Sequence, residues 1–337
     1  MLNRPLIPIT LVCLLALALA ITGCTNDPLA PEKPVNASIN NFPMLEGDLY
    51  YEFWFSYPKA GTSPKDKHFD DGDRDYVAAG SFRVDASGHA VDLQGNPAQF
   101  IIPEGFQADL ISDALVTLEH ENQGLGTPQR RVLAGLFTGT GSQLDAVLKP
   151  NDSAAFGPKL AVDSSSWCLL QAPTSDDPPD SVSGIWFVTF RNRSGGGIDT
   201  LSGLALAPQP LNPDNPGWTY QTWLVRNAGS GSPEYVKMGR FRTLTGPDAD
   251  GPGPGAGSHP ERAYGRPGED FTGALRRVLN DGTYGIVVSV EPDSVELSHP
   301  FIPLYSLNTI AAGAAARTLI LLPIATTSPS MEITIER

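Results

Sequence analysis

The chain has 337 residues, a formal net charge of −14 and 41% hydrophobic residues. An acidic surface of this kind repels phosphate backbones, which excludes nucleic acid as a partner. Three cysteines are too few for a disulfide framework, so burial of apolar surface has to hold the fold together.

The N-terminus has the parts of an export signal. Arg4 precedes an apolar stretch from Leu6 to Ile21 that is too short to span a bilayer comfortably. The stretch ends in Ile21-Thr22-Gly23-Cys24, which resembles the lipobox of bacterial lipoproteins. That resemblance implies a signal peptide over 1–23, cleavage before Cys24, and lipid on the cysteine. Several acyl chains are needed, because one gives only marginal membrane binding. Thr25 is not the aspartate that typically retains lipoproteins at the inner membrane, so the outer membrane is expected. Of the other cysteines, Cys13 leaves with the signal, and Cys168 reads as a small buried hydrophobe in Ser166-Trp167-Cys168-Leu169-Leu170.

Residues 24–40 are polar and rich in proline, and read as an extended linker. Beyond them, frequent glycines and prolines (34 and 31 in the whole chain) punctuate short apolar runs, with little helical periodicity. An all-β fold of antiparallel sandwiches is expected. The expected strands are Tyr50–Tyr57, Val77–Val84, His89–Leu93, Ala114–His120, Gly184–Arg191, Tyr220–Arg226, Val236–Arg242 and Tyr284–Glu291. Within the first, Tyr51, Phe53 and Phe55 share one face, the core face, and Glu52 lies on the other. Asp85-Ala86-Ser87-Gly88 has the chemistry of a hairpin turn, and Asn280-Asp281-Gly282 marks another. Only Ile310 to Leu322, rich in alanine, has helical composition. The expected domains are 41–150 and 151–325, with a C-terminal tail over 326–337.

The two halves repeat one another. Tyr51-Glu52-Phe53-Trp54-Phe55 matches Tyr220-Gln221-Thr222-Trp223-Leu224, and the block Val77–Arg83, around Gly80, matches Val236–Arg242, around Gly239. Leu115–Glu119 then matches Val287–Glu291. Three blocks in one order predict a duplicated β-domain in tandem, with the insertions falling in surface loops.

The blocks resemble the extracytoplasmic C-terminal domain of anti-sigma factors of the sigma-K-regulator type. Tyr51, Trp54, Gly80 and Glu119 carry the resemblance in one half, and Tyr220, Trp223, Gly239 and Glu291 in the other. The second half also looks like a group of bacterial envelope proteins with Gly-Ile-Trp-Phe, Trp-x-Tyr-x-x-Trp and Asp-x-Asp-Gly-x-Gly-Pro motifs, here at 184–187, 218–223 and 248–254. The chain departs from the anti-sigma pattern, with neither a cytoplasmic sigma-binding region nor a transmembrane helix. The resemblance therefore implies a fold and an envelope-sensing or protein-contact role, not sigma binding.

Each candidate site has a plainer reading. Glu119 and Glu291 belong to different domains, so a paired-carboxylate glycosidase site is not expected, and both read as hydrogen-bond acceptors within their own domains. Trp54 and Trp223 read as core residues rather than sugar-stacking platforms. Two acidic loops have some calcium character, one with Asp71, Asp73 and Asp75 and one with Asp248 and Asp250, towards which Glu269 and Asp270 can fold back. Both read as solvated loops, so no metal and no cofactor are expected. The five histidines have no metal-ligand spacing, and no nucleophile elbow or phosphate loop occurs. A non-catalytic, lipid-anchored envelope protein that contacts an envelope partner is the expectation. An outer-surface glycan-binding lipoprotein is the alternative, and a hydrolase comes third. The loops 58–76 and 245–273 are the expected contact surface.

Overall fold

Apolar alternation and short apolar runs become strands, and no α-helix forms among the described residues. The computed structural model describes residues 31–59, 74–121, 126–139, 141–157, 160, 166–206, 215–228 and 230–337. Cys24, Asp71 and Asp73 lie outside them, so the lipobox and most of the first acidic loop are not among the described residues.

The chain first runs through β1 (Lys33–Asn40), β2 (Leu49–Pro58), β3 (Arg74–Val84), β4 (Ala90–Val91), β5 (Phe100–Ile102), β6 (Asp113–His120), β7 (Arg131–Leu136) and β8 (Gln143–Leu148). It continues through β9 (Ser166–Leu170), β10 (Gly184–Trp186), β11 (Val188–Asn192), β12 (Ile198–Ser202), β13 (Trp218–Arg226) and β14 (Glu234–Phe241). Then come β15 (Gly268–Asp270), β16 (Tyr284–Pro292), β17 (Ile302–Pro303), β18 (Asn308–Thr309), β19 (Thr318–Leu322) and β20 (Ser330–Glu336).

In the first sandwich a sheet ordered β4-β3-β2-β6-β7 faces one ordered β5-β1-β20-β8. Phe53, Phe82 and Leu118 share a core with Val35, Phe100, Ile102, Leu148, Met331, Ile333 and Ile335. The second sandwich has one sheet ordered β14-β13-β16-β17, with β18 also on β16, and one ordered β15-β10-β9-β19. All ladders in these sheets are antiparallel, and the hairpin β11–β12 stands beside them.

Several expectations need correcting. The linker reading of 24–40 fails over Lys33–Asn40, which is β1, because Val35 enters the core. The tail over 326–337 is no tail. Its Met331, Ile333 and Ile335 alternate inward, and β20 pairs with β1 on one side and β8 on the other. The second sandwich is thus inserted between strands of the first. The run 310–322 is not helical: Gly313 and Arg317 take positive φ, and Thr318–Leu322 pairs with β9. Gly184–Arg191 divides at Phe187 into β10 and β11. Finally, β2 is buried on both faces, with Glu52 only 1% exposed.

One hydrophobic cluster runs through both sandwiches. Phe301 stacks on Trp218 at 5.7 Å between ring centres and on Tyr51 at 6.4 Å. Asn215, 1% exposed, staples the junction. Its Nδ2 donates to the carbonyls of Arg131 and Ala155, and its Oδ1 accepts from the Arg131 N–H and from Trp218 Nε1. Every polar atom of that amide is satisfied, as burial requires.

Candidate functional site

The signature residues occupy matching places in two three-stranded units, β3–β2–β6 and β14–β13–β16. In the first unit Tyr51 pairs with Phe82, Glu52 with Ser81 and Phe53 with Gly80; the register then slips, and Trp54 pairs with Ala78. In the second unit Tyr220 pairs with Phe241 and Gln221 with Arg240; the register slips at the same point, and Trp223 pairs with Lys237. On the far side Tyr50 faces Glu119 and Trp54 faces Leu115. Likewise Thr219 faces Glu291 and Trp223 faces Val287.

Side chains repeat with the backbone. Trp54 Nε1 donates to Thr117 Oγ1 at 2.9 Å, and Trp223 Nε1 donates to Ser289 Oγ at 2.8 Å. Arg83 pairs with Glu121 at 2.7 Å, and Arg242 with Asp293 at 2.7 Å. Sequence reasoning missed these ion pairs, although both arginines close aligned blocks and each acid lies two residues past a signature glutamate.

Gly80 and Gly239 have φ of +152° and +102°, and another segment crosses each unit there. A Cβ at Gly80 would stand 3.0 Å from the Gln99 carbonyl oxygen and 3.1 Å from Phe100 Cδ1. At Gly239 it would stand 2.5 Å from Asp250 Oδ1 and 2.6 Å from Asp248 Cγ.

The tryptophans Trp54, Trp218 and Trp223 are 4%, 3% and 1% exposed, so they form no surface row. Glu291 Oε1 accepts from Ser289 Oγ at 2.5 Å and from the Phe301 N–H at 2.8 Å, and burial pushes its carboxyl up to about 7. Glu52 accepts from Ser81 Oγ at 2.5 Å. Burial raises it to about 7 against the pull of that bond, with Glu119 adding to the rise. Cys168 is fully buried, which pushes its thiol far up and leaves it inert.

The second acidic loop is not wholly solvated. Asp250 is exposed, but Asp248 is 7% and Glu269 3% exposed. The reason is β15, which joins the sheet through β10 and carries Glu269 and Asp270 back to the loop. Asp270 is saturated: Oδ1 accepts from Trp186 Nε1 at 2.7 Å, and Oδ2 from the Thr174 N–H and hydroxyl. Asp248 Oδ2 accepts from the Gly268 N–H at 2.9 Å. Burial raises Asp248 to about 7, and burial reinforced by Asp250 and Asp248 raises Glu269 to about 8. Among the described residues no three His, Cys, Asp or Glu side chains form a ready metal-chelating set.

Asp75, the described member of the first acidic loop, lies instead in β3 opposite Tyr57. It borders a cleft lined by Lys59, Arg74, Tyr76, Gln129 and Arg131. Behind the cleft Arg74 pairs with the fully buried Asp113 at 3.3 Å, and burial pushes Asp113 up to about 7. The expected contact loop 245–273 is held down in part by β15, and by ion pairs from Asp176 to His259 and Arg262. Exposed apolar side chains stand elsewhere. Trp167 of β9 lies opposite Leu321 of β19, two residues from Leu319 on the same face, and all three are more than one-third exposed.

No protein-family model, no curated protein and no solved structure matches this chain. No helix among the described residues is long and apolar enough to cross a membrane.

Proposed function

We propose that this is a lipid-anchored, non-catalytic envelope protein whose two β-units arose by duplication and which docks on another envelope protein. The Cys24 lipobox supports the anchor, and the common register, bulge and indole–hydroxyl bond support the duplication. The resemblance to anti-sigma extracytoplasmic domains rests on those same signature residues. The observation that carries the protein-contact reading over glycan binding is the placement of aromatics. Trp54, Trp218 and Trp223 are spent on the core, while an apolar strip of Trp167, Leu319 and Leu321 faces outward. A contiguous exposed apolar strip is a feature of interaction surfaces.

The test is photo-crosslinking in intact cells from a probe placed at Leu319. A discrete protein adduct, lost in Trp167→Ser/Leu321→Ser while that variant keeps the parent Tm, is the expected result. Adducts to polysaccharide, or an adduct indifferent to the double substitution, would overturn the reading. Cys24→Ala is expected to abolish fatty-acid labelling and release the protein from membranes.

A further inference from the structure

Two carboxylates inside the second sandwich each have an oxygen with nothing to bind. Asp248 Oδ1 and Glu269 Oε2 are buried and have no hydrogen-bond partner. Neither residue makes an ion pair among the described residues, and nor does Asp250 beside them. Their convergence follows from three contacts. The Gly268 N–H, one residue before Glu269, binds Asp248 Oδ2 at 2.9 Å. Asp248 Oδ2 and Asp250 Oδ1 both lie over Gly239, at 2.7 and 2.5 Å from where a Cβ would stand. Glu269 Oε1 lies 2.5 Å from the corresponding point on Gly253. Glycines at 239 and 253 thus leave the acids space that any side chain would take. The cation acting on Glu269 is Arg277, whose guanidinium is 6.0 Å over the Phe271 ring. Two buried carboxylates beside a third at the mouth therefore present oxygens that face no matching donor or cation.

We infer that Asp248, Asp250 and Glu269 form the seat of a hard divalent cation of the calcium class. The donors are oxygens only, the set that suits hard cations such as calcium rather than zinc. The unbound side chains are not a closed chelate, so Asp248 and Glu269 supply the buried ligands, Asp250 closes from the mouth, and carbonyls and water complete the six to eight oxygens calcium takes. The sequence shows half of this seat, in Asp248-Ala249-Asp250-Gly251; the other half is brought by β15.

The test uses the full chain, stripped with EDTA, with Ca²⁺ and Tb³⁺ as probes. Millimolar Ca²⁺ is expected to raise Tm by about 3 °C or more over the EDTA form. Tb³⁺ is expected to show emission sensitised by Trp186, whose indole binds Asp270 next to Glu269. Asp248→Asn/Glu269→Gln is expected to fold and to weaken both responses at least tenfold. If the parent chain shows neither response, or the double variant retains both, the inference is overturned and the carboxyls are simply held protonated. A Tb³⁺ signal unchanged in Asp250→Asn but lost in Glu269→Gln still supports the seat, with Asp250 outside it.

Discussion

The units β3–β2–β6 and β14–β13–β16 share a register, a bulge and a tryptophan bonded to a neighbouring hydroxyl, yet they differ in charge at their centre. Glu52 and Ser81 in the first correspond to Gln221 and Arg240 in the second. Gln221 donates to the Gly239 carbonyl, and Arg240 reaches the carbonyls of Asp293 and Val295, so a neutral amide and an arginine fill the place of an acid and a hydroxyl. What crosses the glycine differs too: the Gln99 carbonyl and the Phe100 ring in one, carboxylates in the other. The same backbone frame therefore carries side chains of quite different polarity at its centre.

The comparison is broken most severely at the chain's end. Deleting residues 330–337 removes β20 from between β1 and β8 in the first sandwich and takes nothing from the second. The expected result is loss of the cooperative unfolding transition in near-UV circular dichroism. A truncated chain with the parent Tm would mean that β20 is dispensable.

Next are the paired glycines. Alanine at either position is strained by its φ and is expected to cost about 1–3 kcal/mol in urea denaturation, more at Gly239, where the contacts are closer. A larger loss at Gly80 would show that the carboxylates over Gly239 yield more easily than the backbone over Gly80.

Glu52→Gln converts the first unit towards the second and should change the pH dependence. The folded carboxyl is raised from 4.5 to about 7, so its stabilising contribution is complete below about pH 4.5 and is lost as pH rises to about 7. The variant is therefore expected to gain on the order of 2 kcal/mol over the parent at pH 8 and almost nothing at pH 4. Parallel pH–stability curves would show that Glu52 is not the source.

The smallest effect sharpens the likeness. Trp54→Phe and Trp223→Phe each remove one indole–hydroxyl bond and are expected to cost about 1 kcal/mol apiece beyond the lost ring area. Unequal losses would locate the difference at Ser289, which also donates to Glu291, unlike a hydroxyl with the indole alone.

Much of this was legible in the sequence, because strands announce themselves through apolar spacing. The β2 run, the Asp85–Gly88 turn and the order of the three blocks could all be read directly. Asp85 Oδ1 accepts from the N–H groups of Ser87 and His89, the local chemistry that such a turn uses. Burial of Glu52 was not legible, since alternation on β2 implies a polar outer face and only tertiary cover removes it. Alanine-rich composition concealed β19, although Leu319-Ile320-Leu321-Leu322 favours a strand. The alternation of Met331, Ile333 and Ile335 was present but unpartnered in sequence, as its neighbours β1 and β8 lie far upstream. For the acids, the pair in the Asp248 loop was visible. That Glu269 comes to them buried depends on β10–β15 pairing, which spacing does not encode.

The meeting of β1 with β20 also sets an order of events during synthesis. Domains generally fold as their residues emerge, N-terminal first. Here the second sandwich can assemble from contiguous chain, whereas the first waits for its last strand. Its facing sheet closes only after residues 330–336 have been made, and the pairing of β20 with β1 joins segments about 300 residues apart, which makes it slow to form. Until then β1 and β8 have open edges on either side of the place β20 will fill, so this interval is when the nascent protein is most exposed to edge-to-edge aggregation and most dependent on a chaperone.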